Sequence, residues 1–330
     1  MSKRKKWLIV FGVCMLLVVA GGVGYAMHLY DKTEETVTES QKKISRDHDT
    51  SELRVEEVDP VEDNVSVLFI GVDNSEIRNE QTSRSDALIL ATFNKESSSV
   101  KLLSIPRDSY VYVPEVDRYT KITHAHAYGG AEATIETVEN FLDVPVDYYA
   151  EMNFNGFVDV VDALGGIKYD VPYEFSEFDS NDERNGVHLN AGYQTLNGEE
   201  ALALARTRKY DNDIERGKRQ QAILKTIFDK ATSTASVFKL GEVIDAIGSN
   251  MTTNMTFTDM KNFLSYGLDE NVAIDKMILD GSGGYMDDGL WYFQVSEDSK
   301  RNTRAELRNH LDMREYADSN DHHEKAKNDI

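Results

Sequence analysis

The chain opens on a basic cluster, Lys3-Arg4-Lys5-Lys6, and then an uncharged apolar run from Trp7 to Leu29. A helix of that length reaches about 30 Å, enough to cross a bilayer. Trp7 and Tyr30 stand at its two ends, where amphipathic rings favour the interface. The run continues past the small-residue group Ala20-Gly21-Gly22, so it predicts an uncleaved single-pass anchor rather than a cleaved signal peptide. Residues 1–6 are then the cytoplasmic end, 7–29 the transmembrane helix, and the remainder lies outside the membrane. Residues 30–63 are polar with few large apolar side chains, and the pattern predicts a stalk.

From residue 64 the pattern changes to short apolar runs alternating with helical spacing. Ser66–Asp73, Asp86–Asn94 and Ser99–Arg107 read as buried strands, the last two joined by a turn at Lys95–Ser98. Helical spacing follows over Gly130–Leu142, a strand over Asp147–Phe154, and a helix over Phe154–Gly166 that stops on its glycines. Ile167–Val171 reads as a strand, Glu174–Gly186 as an acidic loop, and Val187–Leu196 as a hairpin. Asn197 is placed to cap a helix over Gly198–Ala205, and Asp213–Thr232 predicts a longer one. Further helices fit Val237–Ile247 and Phe257–Leu268, and strands fit Ala273–Leu279 and Leu290–Val295. Gly281–Tyr285 reads as a tight turn, because it lacks the Gly-Lys-Ser/Thr ending of a phosphate loop. Residues 296–330 read as a charged surface helix and tail. Strands alternating with helices predict an α/β domain over residues 64–295, with helices on both faces of the sheet.

Charge and cysteine content narrow the function. With 58 Asp+Glu against 36 Lys+Arg, the net charge is -22, which would repel a nucleic-acid duplex. The single cysteine, Cys14, falls inside the apolar run, so the outer part can form neither a disulfide nor a cysteine-based zinc site.

Against that acidic background, Arg206, Arg208, Arg216 and Arg219 fall within fourteen residues. Arginine suits phosphate because its planar fork donates paired hydrogen bonds and keeps its charge. Taken alone, the stretch fits equally a helix face laced with ion pairs such as Asp213–Arg216. Asp73 closes the first strand, Arg84 and Asp86 open the second, and Arg107 follows the third. If the first two strands pair antiparallel, Asp73 and Asp86 converge; two carboxylates with phosphate oxygens and water are a usual magnesium environment. The alternative is that Asp73 is a turn residue and Asp86 pairs with Arg84. Arg216, Arg219 and Gln220 share a helix face, and Gly217 beside them has no side chain to obstruct a ligand. His124 and His126 form a His-x-His pair, but no third nitrogen ligand lies nearby, so they read as loop hydrogen-bonding residues.

The segments GVDNSE, SRSDALIL, SIPRDSYV, KITHAHAYGG, NGFVDVVDALGGI, LNAGYQTLNGEEALALARTRK and DIERGKRQQ occur in this order. Together they resemble the LytR–CpsA–Psr (LCP) family of cell-envelope phosphotransferases over about Val65 to Thr232. The resemblance implies an α/β/α domain on a mixed central sheet, anchored by one span in a Gram-positive type envelope. It implies transfer of a glycopolymer, such as teichoic acid or capsular polysaccharide, from a polyprenyl-diphosphate carrier to peptidoglycan, assisted by Mg2+. Carried over by motif, Asp73 and Asp86 are the metal carboxylates. Arg84, Arg107, Arg206, Arg208, Arg216, Arg219 and Gln220 are the diphosphate-binding set. Arg107, Arg206, Arg208 and Asp213 are the expected catalytic group. Ala87 departs from the threonine common in relatives, and His126 from a more usual aromatic. An apolar groove for the lipid is expected along Phe154, Phe157, Val158, Val161 and Leu164, facing Ile223, Leu224, Ile227 and Phe228. Two other readings use the same arginines: a membrane-anchored regulator or lipid/glycan-binding protein without turnover, and a hydrolase of the polyprenyl diphosphate.

Overall fold

Three apolar runs of the sequence become the centre of one sheet. In the computed structural model, which describes residues 34–36, 38–45, 50–73, 83–210, 212–231, 246, 248, 250–268 and 272–313, β1 (Val65–Asp73) pairs antiparallel with β2 (Arg84–Asn94), and β2 with β3 (Ser99–Ser104). The expected third strand is shorter than its apolar run. Pro106 offers no N–H to continue the ladder, so the chain turns and Ser109 N donates to Pro106 O. The hairpin of β4 (Tyr110–Val113) and β5 (Arg118–Lys121) follows, then α1 (Thr123–Leu142), which begins before the expected Gly130 and is interrupted at Gly129–Gly130.

β6 (Tyr148–Asn153) joins β1 in parallel, and α2 (Phe154–Ala163) starts on an Asn153 cap and ends before Gly165 and Gly166, both at positive φ (77° and 78°). Then come β7 (Ile167–Val171), β8 (Phe175–Glu177), β9 (Val187–Leu189) and β10 (Gly192–Leu196). The expected hairpin between the last two does not form: β9 pairs with β8 and β10 with β7. All four strands bury apolar alternates in one cluster with Ile223, and that shared burial decides their partners. α3 (Gly198–Arg206) carries a capping box: Asn197 accepts from Glu200 N and Glu200 accepts from Asn197 N. α4 (Asp213–Ala231), β11 (Met251–Thr253), α5 (Phe257–Leu268) and β12 (Ala273–Ile278) lead to β13 (Gly281–Tyr285), β14 (Trp291–Val295) and α6 (Glu297–His310). The glycine-rich Gly281–Tyr285 is thus a strand paired with β14 rather than a tight turn.

Among the described residues the main sheet runs β11-β6-β1-β2-β3-β12 and mixes parallel and antiparallel pairs. Strand alternation sends Leu68, Ile70, Leu88 and Leu90 to a core shared with α1 and α6. Val67, Phe69, Ile89 and Ala91 face the other way, toward Leu224 of α4 and Met260 and Phe263 of α5. Burial on both faces is why these strands read as nearly continuous apolar runs.

Both ends of the domain extend past the expected boundaries. Ile44 is buried in the main core, Lys42 N donates to Thr253 O, and Arg54 grips Asp147 with two hydrogen bonds at 2.9 and 2.7 Å. Residues 38–45 and 50–63 therefore pack on the domain instead of forming a free stalk, because that polar segment finds partners in the sheet's edge. α6 likewise buries Leu307 in the core. The expected membrane span over 7–29, the cytoplasmic end, nearly all of the helix expected over Val237–Ile247 and the tail from 314 lie outside the described residues. Among the described residues no helix is long and apolar enough to cross a membrane.

Candidate functional site

A cavity of about 470 Å³ opens between the ends of β1, β2 and β6 and the helices α2 and α4. Its lining is graded. α4 contributes Arg216, Gln220, Ile223, Leu224 and Ile227, one face of the helix at three- and four-residue spacing. Eleven residues separate Arg216 from Ile227, about 16 Å along the helix axis, so one end is cationic and the other apolar. β1 repeats the gradient, with Asp73 at its end and Phe69 about 13 Å back along the strand. Such a cavity suits an amphiphile with an anionic head.

The antiparallel register of β1 and β2 sets Asp73 opposite Arg84 and brings Asp73 and Asp86 to the same cavity. Arg107, in the turn after β3, reaches back so that Nη1 lies 2.5 Å from Asp86 Oδ1. Burial alone would lower its pKa; Asp86, Asp108 and Asp213 outweigh it and hold the guanidinium more firmly protonated than usual. Arg206 closes α3, where its guanidinium stacks 4.7 Å from the Phe154 ring and donates to Asp179 O at 3.3 Å. The acidic segment over 174–186, expected as a loop but opening with strand β8, thus braces an arginine, and Glu177 at the end of β8 lines the cavity. Arg208 stands between Asp213 (3.6 Å) and Asp108 (3.8 Å).

Arg216 Nη2 lies 2.7 Å from Asp213 Oδ1, an ion pair whose angle falls outside hydrogen-bond geometry. Burial, and then the neighbouring Arg107 and Arg208 against the opposing Asp213, push the Arg216 pKa down to about 10. Among the described residues the buried Nε donors of Arg107 and Arg216 have no hydrogen-bond partner. Clustered guanidiniums with orphaned donors are a site built for a polyanion.

The cavity does not collect every expected residue. Arg84 is exposed and is not part of the lining. Arg219 is buried and turned inward, its guanidinium donating to Leu204 O and Thr207 O, where it fastens the link between α3 and α4. Gln220 is on the lining and donates to Ala205 O at 3.2 Å. Gly217 faces Ser104 of β3 rather than the cavity. Of the expected apolar wall, Phe154, Phe157, Ile223, Leu224 and Ile227 line the cavity; Val158, Val161, Leu164 and Phe228 do not. Val161 and Leu164 are core residues, one helical step round α2 from the exposed wall. Val160, Phe69, Ile89 and Met152 line it instead. Their apolar character was visible in the sequence, but the facing direction depends on strand pairing.

Asp73 and Asp86 place two carboxylates at the arginine-lined end of the cavity. Among the described residues no group of three or more His, Cys, Asp or Glu is arranged to hold a metal. The donor set therefore fits a magnesium ion that takes its remaining ligands from phosphate and water. His124 and His126 sit in the first turns of α1, not in a loop. His126 bonds Ser83 O at 2.9 Å and Glu151 at 3.1 Å, and His124 bonds Thr120 at 2.8 Å. Burial would lower the His126 pKa, but the Glu151 hydrogen bond and charge outweigh it and raise it.

A sequence model of the LytR_cpsA_psr family matches residues 27–309. The polyisoprenyl-teichoic acid–peptidoglycan teichoic acid transferase TagT of Bacillus subtilis is 38% identical over 313 residues, covering 94% of this chain and 96% of that protein. The solved structure of TagT bound to LIIa-WTA is similar with a TM-score of 0.70 at 38% identity, over 82% of this chain and 99% of that one. TagT with bound octaprenyl pyrophosphate lipid gives 0.65 at 36% identity, over 82% and 99%. With a cavity graded from arginine to hydrocarbon and a family match over most of its length, the chain belongs to the LytR–CpsA–Psr family.

Proposed function

We propose that the chain is a phosphotransferase that moves a glycopolymer from a polyprenyl-diphosphate carrier to a hydroxyl of peptidoglycan. The observation that carries this is the graded cavity. Its apolar length accepts prenyl chain, and its arginine end accepts the diphosphate. The relatives support the class of reaction, since TagT is named a teichoic acid transferase and has been solved with octaprenyl pyrophosphate.

In this reading Arg107, Arg206, Arg208 and Arg216 hold the diphosphate oxygens, and Phe157, Ile223 and Leu224 hold the first prenyl units. The acceptor oxygen attacks the phosphorus nearer the glycan. A new P–O bond forms, the bond to the bridging oxygen breaks, and polyprenyl phosphate leaves while the acceptor proton passes to solvent. The growing charge on the leaving phosphate is met by fixed guanidiniums, which need no reorganisation. Asp213 keeps Arg208 and Arg216 in place. Asp73 and Asp86 would hold magnesium, whose chemistry when bound is to neutralise charge on the diphosphate. No nucleotide is needed, which suits a domain outside the membrane, anchored by residues 7–29 with its N-terminus in the cytoplasm.

Full-length protein in detergent, given a synthetic polyprenyl-diphosphate glycan and peptidoglycan, is expected to release polyprenyl phosphate only as polymer becomes attached. Arg107→Ala should lower that rate by about 100-fold or more, the usual cost of one charge-stabilising donor. Equal rates in wild type and variant would refute the assigned role. Release without acceptor would instead indicate a hydrolase, and binding without release a non-catalytic protein.

A further inference from the structure

β4 reads Tyr-Val-Tyr-Val, apolar on both faces. Val111 and Val113 are buried in the main core. Tyr110 and Tyr112 therefore face the other way. Register places Lys121 opposite Tyr110 and Tyr119 opposite Tyr112 on that same face. The Tyr119 ring lies 5.4 Å from Tyr110 and 5.5 Å from Tyr112, and Tyr292 of β14 adds a fourth ring, 5.0 Å from Tyr110. Tyr119 is 60% exposed and Tyr110 37%, Tyr112 is half-buried, and Tyr292 is a buried ring on which Tyr110 rests. An outward sheet face ordinarily carries polar side chains; neighbouring exposed rings on a buried aromatic base mark a recognition surface.

One cation joins the rings: Lys121, on the same face, sits 5.6 Å from the Tyr292 ring, whereas Arg118 stands opposite Val113 on the other face, 5.2 Å from the Tyr128 ring. Acids are present too: Asp117 accepts from the Tyr112 hydroxyl at 2.6 Å and Asp108 pairs with Lys121 at 2.8 Å. The face is bonded to the catalytic turn. Thr123 N donates to Arg107 O, Ile122 N to Ser109 O, and Phe293 N to Asp108 O. Tyr110 follows Arg107 by three residues, about 10 Å of chain.

We propose that this tyrosine face docks the acceptor, the glycan strand of peptidoglycan, and presents it to the diphosphate held by Arg107. The inference rests on the phosphotransferase reading. The donor's tail and diphosphate occupy the cavity, so the acceptor must approach from outside it, and this face borders the Arg107 turn. Pyranose rings in series present flat C–H faces to stack on tyrosines, with hydroxyls for the phenolic oxygens. The peptide carboxylates of such a strand complement Lys121. A donor polymer joined through phosphodiesters offers fewer ring faces.

The test measures binding of soluble, undecorated glycan strands to the full-length protein in detergent, alongside binding of a polyprenyl-diphosphate glycan. Tyr119→Ala is expected to weaken strand binding about tenfold, and Tyr112→Ala/Tyr119→Ala further, with donor affinity unchanged and Tyr119→Phe near wild type. In transfer assays the acceptor KM should rise with kcat unchanged. Because Tyr119 is exposed, an unchanged melting temperature in the single variant separates docking from folding. Unaltered strand affinity in both Ala variants, absence of strand binding by wild type, or weakening for donor instead of acceptor would each overturn the proposal. Strand binding that the variants weaken, in a wild type that performs no transfer, would keep the docking face and remove the transferase reading.

Discussion

Asp213 faces two of the site's arginines at once. It is nearly buried, 2.7 Å from Arg216 and 3.6 Å from Arg208, and it offsets burial and mutual repulsion among Arg107, Arg208 and Arg216. Even at a pKa of about 10 the Arg216 guanidinium keeps its proton at neutral pH. Asp213→Asn leaves that charge buried without its counter-ion. Such broken pairs cost about 3 kcal/mol or more. A lower urea midpoint at pH 7, with weaker donor binding, is expected; a midpoint equal to wild type would show that Arg216 finds another partner or water. The role is one of positioning, since Asp213 is not among the cavity-lining residues.

The long helix α4 owes its position to two residues with no ligand. Gln221, fully buried, donates to Leu102 O of β3 and Met277 O of β12 at 2.8 and 3.0 Å, tying the helix across two strands. Gly217 allows the close approach: a Cβ there would stand 2.3 Å from Ser104 Oγ and 3.1 Å from Ser104 Cβ. Helix propensity alone favours alanine over glycine by about 1 kcal/mol. Overpacking reverses this, so Gly217→Ala should destabilise by about 1–3 kcal/mol and displace Arg216 from Arg107. Pairing it with Ser104→Gly should restore part of the loss in thermal denaturation. A stabilised single variant would show that the strand yields freely.

At the scale of the molecule, the C-terminal helix is fastened through a histidine. His310 bonds Thr92 of β2 through Nδ1 and Ser99 of β3 through Nε2, both at 2.8 Å. Burial, and then Lys101 against the opposing Asp275 and Glu306, push its pKa from 6.5 down to about 4. The unfolded chain therefore takes up the proton first, and His310 removes stability as pH falls from about 6.5 toward 4. His126 acts in the opposite sense: its raised pKa adds stability at low pH that is lost as pH rises above 6.5. Comparing urea midpoints at pH 7 and 4.5, His310→Gln should lose less on acidification than wild type. Equal losses would place the acid sensitivity elsewhere.

Periodicity and motif order were enough to locate most strands and helices, because buried strands and amphipathic helices write their environment into the spacing of apolar residues. The cap at Asn197 and the stop at Gly165–Gly166 were legible for the same reason: their chemistry is local. Asp73 and Asp86 could be placed together because antiparallel neighbours joined by a short connection bring one strand's end to the next strand's start. Arg219 was misplaced because helix spacing names a face without saying what that face meets; only packing showed that Arg219 meets carbonyls and Arg216 the cavity. The same holds for Val161 and Leu164, whose apolar side chains suit a lipid wall or a core equally. The pairing of β7 with β10 across the β8–β9 ribbon, and the docking of residues 38–45, 50–63 and α6, joined segments separated in the chain. The amino-acid sequence alone thus determined residue chemistry and local conformation, whereas long-range burial and hydrogen bonding decided which of those residues face the cavity, since that depends on partners no local window contains.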